Sequence, residues 1–342
     1  MSQPEVSGPR SDDRLIMDLL VFSALGASSL LVAHDLKLFS LLAEKSRTLL
    51  EICEACNIAR RPAEALTGMC VSMGLLQLRD SRFALTPLAE DYLLETSPSY
   101  WGGTLEFAKA NYSLYSFESL KRAVLTNSSQ VYGGKELFPS HEEQAALART
   151  FTRMMHSFSV GPAIAWPKAV DLSDNRVMLD IGGGSAVHSM SAVRRWPALR
   201  AQVLDLPSVC EIATEYITRE GLQDRVSTHA GDMWKDPFPS ADLHFYSWIY
   251  HDWPPEKGRF LTEKSFRSLS SGGRIIVHEL LLNDEKTGPA AVAASSLIML
   301  LATAGQEYSG RELSAMLAEA GFVGIEVKHT FGYWGIVTGR KP

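Results

Sequence analysis

Acids recur at the ends of apolar runs in this chain. Asp180 follows Val177-Met178-Leu179, Asp205 follows Ala201 to Leu204, Asp232 follows Val226 to His229, and Glu279 follows Arg274 to His278. A fifth run, Ala241 to Tyr246, leads into Ser247-Trp248-Ile249-Tyr250-His251-Asp252-Trp253. If these runs are parallel strands, their carboxyl ends open on one crevice and the polar groups converge there. A histidine beside a carboxylate in such a crevice can take a proton near neutral pH, although capping a helix start would satisfy it equally well. Between Asp180 and Asp205 lie three glycines, Gly182, Gly183 and Gly184. A turn without Cβ atoms lets backbone approach a ligand closely. The run does not fit G-x-G-x-x-G, and no Lys-Ser or Lys-Thr pair follows it to hold a phosphate. An acid before the glycines repels a pyrophosphate and suits an ammonium group. Asp205, about 25 residues further on, stands where doubly wound folds bind a ribose diol. Asp232-Met233 suits an adenine, the acid accepting from its amine and the thioether packing on the ring. The pattern therefore predicts a nucleoside ligand with a cationic end; a purely structural glycine turn is the alternative.

The elements that would carry these groups alternate in type. Helices are expected over about Ser208–Glu220, Glu256–Ser270, Ala290–Ala302 and Ser309–Ala320, and Glu326–His329 with Trp334–Gly339 reads as a closing antiparallel hairpin. That alternation predicts an α/β, doubly wound Rossmann-like domain over 166–342. Upstream, Arg14–Ser28 and Ser29–Ala43 read as two helices apolar nearly all round, which suggests a subunit interface. Thr48 with Glu51 forms a capping box for a helix to Cys56, and a second helix runs from about Pro62 to Met73. Leu75–Leu78 then pairs with Arg82–Leu85 across Arg79-Asp80-Ser81. Helix, helix, hairpin is the outline of a winged helix; with only Arg60 and Arg61 at the start of the second helix, dimerisation fits 15–98 better than DNA binding. Residues 1–14 read as a flexible arm. Residues 99–165 read as a helical linker with substrate-pocket helices. Their aromatics from Tyr100 to Tyr132, and Phe151, Met155 and Phe158 on a helix from about Glu142 to Ser159, either fill a core or line a cleft for a flat molecule. Pro162 and Pro167 are expected to break up the segment before the α/β domain.

Composition narrows the partners. The 342 residues suit two domains, and the net charge of -6 with no basic block argues against nucleic acid and anionic membranes. The longest apolar stretches are interrupted before the roughly 18 residues of a membrane span, and the start MSQPEVSGPRSDDR is no signal peptide, so a cytoplasmic location is expected. Cys53, Cys56, Cys70 and Cys210 read as buried thiols.

The segments LDIGGGSA, VLDLPSV, GDMW, WIYHDW, SGGRIIVHE and GQEYSGRELSAMLAEAGF, in this order and spacing, resemble the S-adenosylmethionine-dependent O-methyltransferases of the caffeate and acetylserotonin type. LLVAHDLKLFSLLAE and GLLQLRDSRFALTPLAEDYL are similar to that family's N-terminal dimerisation domain, so the resemblance covers nearly the whole chain. It implies a homodimer that methylates a hydroxyl of a small aromatic or polyketide-like metabolite. His251 would be the base, followed by Asp252 and flanked by Glu279 and Glu307. Asp180 and Gly182 to Gly184 would wrap the methionine end of the cofactor, Asp205-Leu206 the ribose, and Asp232, Met233 and Trp234 the adenine, with Ser159 and Ser247 nearby. Phe151, Met155, Trp248 and Met299 would contact substrate. The sequence departs from the family at Ala186 (a glycine), Ser247 (a lysine) and Tyr308 (an arginine, near the substrate). Nitrogen or carbon methylation, and a cofactor-sensing regulator, are the alternatives. No third histidine near Met299 supports a metal site.

Overall fold

A computed structural model describes residues 10–131 and 145–342; Tyr132 and the expected start of a helix at Glu142 lie outside them. The chain divides after Gly102 into two compact units, Met1–Gly102 and Gly103–Pro342.

In the first unit the apolar stretch forms one helical run, Arg14–Met17, a π-turn Asp18–Phe22 and Ser23–Asp35. The break expected at Ser28/Ser29 is absent, because a serine keeps its N–H in the helical ladder. The chain turns only at Lys37, whose left-handed φ of 57° precedes the helix Leu38–Glu44. The interruptions therefore do not shorten the run: its 22 residues are long and apolar enough to cross a membrane by length and composition. Leu15, Ile16, Leu19, Leu20 and Leu25 are each more than half exposed. Thr48 and Glu51 close the expected capping box on Leu49–Cys56: Thr48 Oγ1 accepts from Glu51 N at 3.3 Å, and Glu51 Oε2 accepts from Thr48 N at 2.6 Å. Cys53 and Cys56 are free and only half-buried, contrary to expectation, since this short helix buries Ile52 alone. The next helix is Arg60–Ser72, followed by the hairpin β1 (Leu76–Arg79) and β2 (Arg82–Leu85). Its turn is two residues rather than three. Asp80 and Ser81 have φ of 49° and 60°, the doubly positive pattern that matches strand twist.

The second unit is built on β3 (Val177–Ile181), β4 (Arg200–Asp205), β5 (Val226–Ala230), β6 (Leu243–Ser247), β7 (Arg274–Leu282), β8 (Tyr308–Ser309), β9 (Val323–Phe331) and β10 (Trp334–Arg340). The order is β5-β4-β3-β6-β7-β10-β9, parallel from β5 to β7, with β10 antiparallel to both neighbours and β8 added beside the end of β7. β3 sends the chain to β4 on one side and carries β6 on the other, so a switch point opens above its carboxyl end. All five residues of β6 are buried, as a parallel strand covered on both faces requires. β7 overruns its parallel neighbours: Glu279 pairs with Gly335 and Leu281 with Tyr308. Glu279 is thus inside a strand rather than at its end. Pro162 also lies inside an element, the helix Ala145–Ala165, instead of breaking it. Burial of Ala163 and Trp166 holds the turn whose hydrogen bond the proline removes. Helices on both faces close two cores, one around Trp166, Met190, Phe245 and Ile276, the other around Leu179, Tyr246, Leu261 and Val337.

Candidate active site

The glycine turn crosses the switch point. Gly182 and Gly184 have φ of 71° and 55°, and a Cβ on Gly183 would lie 2.7 Å from the Asp180 carboxyl carbon. That carboxylate is buried beneath the turn, and its Oδ2 accepts from Ser189 Oγ at 2.7 Å. Burial raises it to about 7, with the Ser189 hydrogen bond opposing and Asp205 adding to the rise. Asp180 therefore braces the turn from below through Ser189. Asp205 is differently placed. Its Oδ2 accepts from Gly184 N at 2.9 Å and its Oδ1 from Leu206 N at 2.8 Å, which fixes the carboxylate at the mouth of the turn. Burial pushes it up to about 6 against those two N–H groups. Asp232 Oδ1 accepts from Trp234 N at 2.8 Å and its Oδ2 pairs with Lys235 at 2.8 Å; burial opposes, but these partners hold Asp232 below the usual carboxylate range. Lys264 donates to the carbonyls of Met233 and Asp236 at 2.7 and 2.6 Å and so fixes the loop that carries Met233 and Trp234. A bare glycine turn with a fixed carboxylate on one side and an acid and thioether on the next strand fits a nucleoside.

Two of the family departures become concrete here. Ala186 is fully buried at φ 65°, the first corner of the helix Val187–Arg195, a conformation that costs an L-residue about 1–2 kcal/mol. Ser247 hydrogen-bonds across the sheet to the His278 carbonyl at 3.0 Å and contacts His278 Nδ1 at 3.3 Å, so its hydroxyl is engaged away from the turn. His156 supports the turn from the helix Ala145–Ala165, its Nδ1 lying 2.8 Å from Ser185 Oγ and its ring stacked on Tyr216. Ser159 is buried on the same helix.

His251 occupies a buried nest of carboxylates. Its Nδ1 lies 3.2 Å from Glu307 Oε1 and its Nε2 3.6 Å from Asp252 Oδ1. Burial works against an imidazolium, but the charges of Asp252, Glu307 and Glu279 outweigh it and raise His251 to about 10. Asp252 rises to about 6 through burial, against the pull of His251. Glu279 rises to about 7, again through burial against His251. Glu279 Oε1 accepts from Ile249 N and Tyr250 N, both at 3.0 Å, and so shapes the loop that carries the histidine. That loop is strained at Trp248, whose φ is 58°, an unusual value for a bulky residue. The Trp248 ring lies 4.5 Å from His251 and edge-on to Trp334 and Phe158. Phe151 and Met155 are half-buried one turn apart on the helix Ala145–Ala165, and Met299 is buried on Ala290–Ala302, the helix that also hydrogen-bonds Glu307. Tyr308 does not face this group. Its ring belongs to the core beside Tyr246 and Leu313, and its hydroxyl donates to the Trp253 carbonyl at 2.9 Å. The arginine-to-tyrosine departure is therefore absorbed by packing.

Residues 117–323 match the profile of the O-methyltransferase domain. The chain belongs to that family. It is an S-adenosylmethionine-dependent methyltransferase. A 3-hydroxy-5-methyl-1-naphthoate 3-O-methyltransferase of Streptomyces sahachiroi is 33% identical over 319 residues, 92% of this chain and 91% of the relative. An acetylserotonin O-methyltransferase of Bos taurus is 32% identical over 325 residues, 91% of this chain and 93% of that one. The crystal structure of human N-acetylserotonin methyltransferase in complex with S-adenosylmethionine superposes with a TM-score of 0.83 at 27% identity, covering 98% of this chain and 99% of that one. Not every relative carries an O-methyltransferase name: an N,N-dimethyltransferase OxyT of Streptomyces rimosus and an L-tyrosine C(3)-methyltransferase of Streptomyces lavendulae are each 29% identical, over 91% and 93% of this chain and 92% and 90% of theirs.

Proposed function

We propose that this methyltransferase acts on a hydroxyl of a small aromatic or polyketide-like metabolite of secondary metabolism, with His251 as general base. The observation that carries the reading is the buried His251 with Nδ1 on Glu307, an arrangement that orients Nε2 and stabilises the imidazolium formed by proton transfer. S-adenosylmethionine supplies an electrophilic methyl on a positively charged sulfur. Gly182, Gly183, Gly184 and Ser159 would border its methionine end, Asp205 and Leu206 its ribose, and Asp232, Met233 and Trp234 its adenine. The high affinity of His251 for a proton belongs to the protein without a neighbouring cation. Beside one, the imidazole gives up its proton more readily and can then accept another from the substrate. Asp252 stands on the Nε2 side and can share in directing the hydroxyl. Phe151, Met155, Trp248 and Met299 would clamp a flat ring, and holding nucleophile and methyl in line supplies much of the rate.

The test joins calorimetric titration with S-adenosylhomocysteine to a screen of phenols, amines and carbon acids for a mass gain of one methyl, on wild type, His251→Ala and Asp205→Ala. Expected are phenol turnover, a rate loss of about two to four decades in His251→Ala with ligand affinity kept, and lost affinity in Asp205→Ala. Phenol turnover that survives His251→Ala refutes the base. Turnover of amines or carbon acids alone assigns the site to the nitrogen or carbon chemistry named among the relatives.

The same proposal includes a cytoplasmic homodimer without nucleic-acid or membrane partners. It rests on the exposed apolar side chains of Arg14–Asp35 and on the net charge of -6.

A further inference from the structure

The candidate base has a neighbour that no motif marks. Ser295, half-buried on the helix Ala290–Ala302, donates from Oγ to Glu307 Oε1 at 2.6 Å. This is the oxygen that faces His251 Nδ1 at 3.2 Å. Next to it, Ser296 Oγ accepts from the Glu307 backbone N at 3.2 Å. One helix thus holds both the backbone and the carboxylate of the residue that holds the histidine. Among the described residues Glu307 Oε2 is buried without a hydrogen-bond partner, so rotation of the carboxylate would exchange a doubly bonded oxygen for an unbonded one.

We propose that Ser295 is a positioning residue for His251, its hydroxyl locking the Glu307 carboxylate on the oxygen that faces Nδ1 and weakening that oxygen's hold on the imidazole proton. The physics is competition at one acceptor. A carboxylate oxygen that already accepts a short hydroxyl bond has part of its charge neutralised and attracts an imidazolium less. The other charged groups facing His251 are Asp252 in its own loop and Glu279 on β7, and neither is bonded to Ser295. Ser295 therefore acts through Glu307 alone. Glu307 in turn contacts His251 Nδ1, so the helix that carries Met299 is tied to the histidine through the Glu307 carboxylate.

The inference rests on His251 as the base only for its kinetic consequence, so the experiment reads the histidine directly. His251 is titrated by NMR of its imidazole in the full-length protein, as wild type, Ser295→Ala, Ser295→Thr and Ser296→Ala, and the same proteins are taken through a pH–rate profile. Ser295→Ala should raise the titration midpoint of His251 by on the order of one pH unit, about tenfold in the population of neutral imidazole at a fixed pH, and move the acid limb of the rate profile the same way. Ser295→Thr should restore both. Ser296→Ala, which loosens the Glu307 backbone, should leave the midpoint in place. An unmoved midpoint in folded Ser295→Ala overturns the role of Ser295. So does a shift shared equally by Ser296→Ala, which would mark a loosened loop. If the midpoint moves while His251→Ala keeps its methylation rate, the base assignment falls and the positioning role stands.

Discussion

Gly305 is the position where one methyl group should do most damage to catalysis at least cost to the fold elsewhere. It lies in the turn between Ala290–Ala302 and β8, and its backbone packs on the backbone of the His251 loop. A Cβ at 305 would stand 2.5 Å from the Trp253 amide nitrogen and nearer still to the His251 and Asp252 carbonyl groups. Ordinary contact begins at 3.4 Å, so the two loops must separate by about 1–1.5 Å. All three obstacles are backbone atoms, and none is a side chain that can swing away. Glu279 anchors the other end of the histidine loop through Ile249 N and Tyr250 N, so the displacement falls on His251 and Asp252 themselves. A misplacement of about 1 Å at reacting groups costs on the order of a hundredfold in rate, and overpacking costs about 1–3 kcal/mol of stability. Gly305→Ala is accordingly expected to fold, to bind S-adenosylhomocysteine as wild type does, and to lose about two decades in kcat. The assay is calorimetry together with steady-state methyl transfer to the best acceptor found. Cofactor affinity retained with full kcat would refute the tight backbone contact as a determinant of the base's position; lost cofactor affinity would refute the separation of the two halves of the site.

Two further outcomes follow from charge and exposure. Asp180, Asp205, Asp252 and Glu279 all have folded-state values raised to between about 6 and 7, so their protonated forms favour the fold and that stability is lost as pH rises through this range. His251, raised to about 10, contributes stability that is complete below its unfolded value and disappears as pH rises through 10. The Tm of the ligand-free protein should therefore fall from pH 6 to pH 10, with a smaller fall at the alkaline end in His251→Ala; a Tm that climbs over the range contradicts the buried-carboxylate picture. Light scattering at micromolar concentration should give twice the chain mass, and Leu19→Glu with Leu20→Glu should halve it without unfolding the second unit; a wild-type monomer would refute the dimer.

How much of this could be read from sequence depends on the range of the interactions. Strand ends were legible because parallel strands are apolar runs stopped by an acid, which is why Asp205 and Asp232 stand at the tips of β4 and β5 nearly as expected. The cap at Thr48 was legible for the same local reason. What failed depended on partners far along the chain. Glu279 lies inside β7 because β10 and β8 arrive later to pair with it. The bond from Ser189 that braces the Asp180 carboxylate beneath Gly183 was not legible in the sequence. Tyr308 reads as a substrate residue by its place in a motif and is a core residue by its contacts.

The same distinction explains why the nest around His251 was only half visible. The motif placed a histidine beside Asp252 and, through resemblance, near Glu279 and Glu307. It did not say which oxygen each acid would present. That is decided by Ser295, Ile249 N and Tyr250 N, whose contributions are a side-chain hydroxyl on a helix and two backbone amides in a strained loop. Burial raises Asp252 and Glu279 and, among the described residues, leaves Glu279 Oε2 and Glu307 Oε2 without a hydrogen-bond partner, which by itself is destabilising. Here the charges of the acids favour a proton on His251, and the hydrogen bonds made to Glu307 and Glu279 set which oxygens those two acids present. Changing one donor to one acid should therefore alter the proton affinity of His251 without touching the imidazole. A residue's chemistry in this site is determined by its second neighbour as much as by its own type.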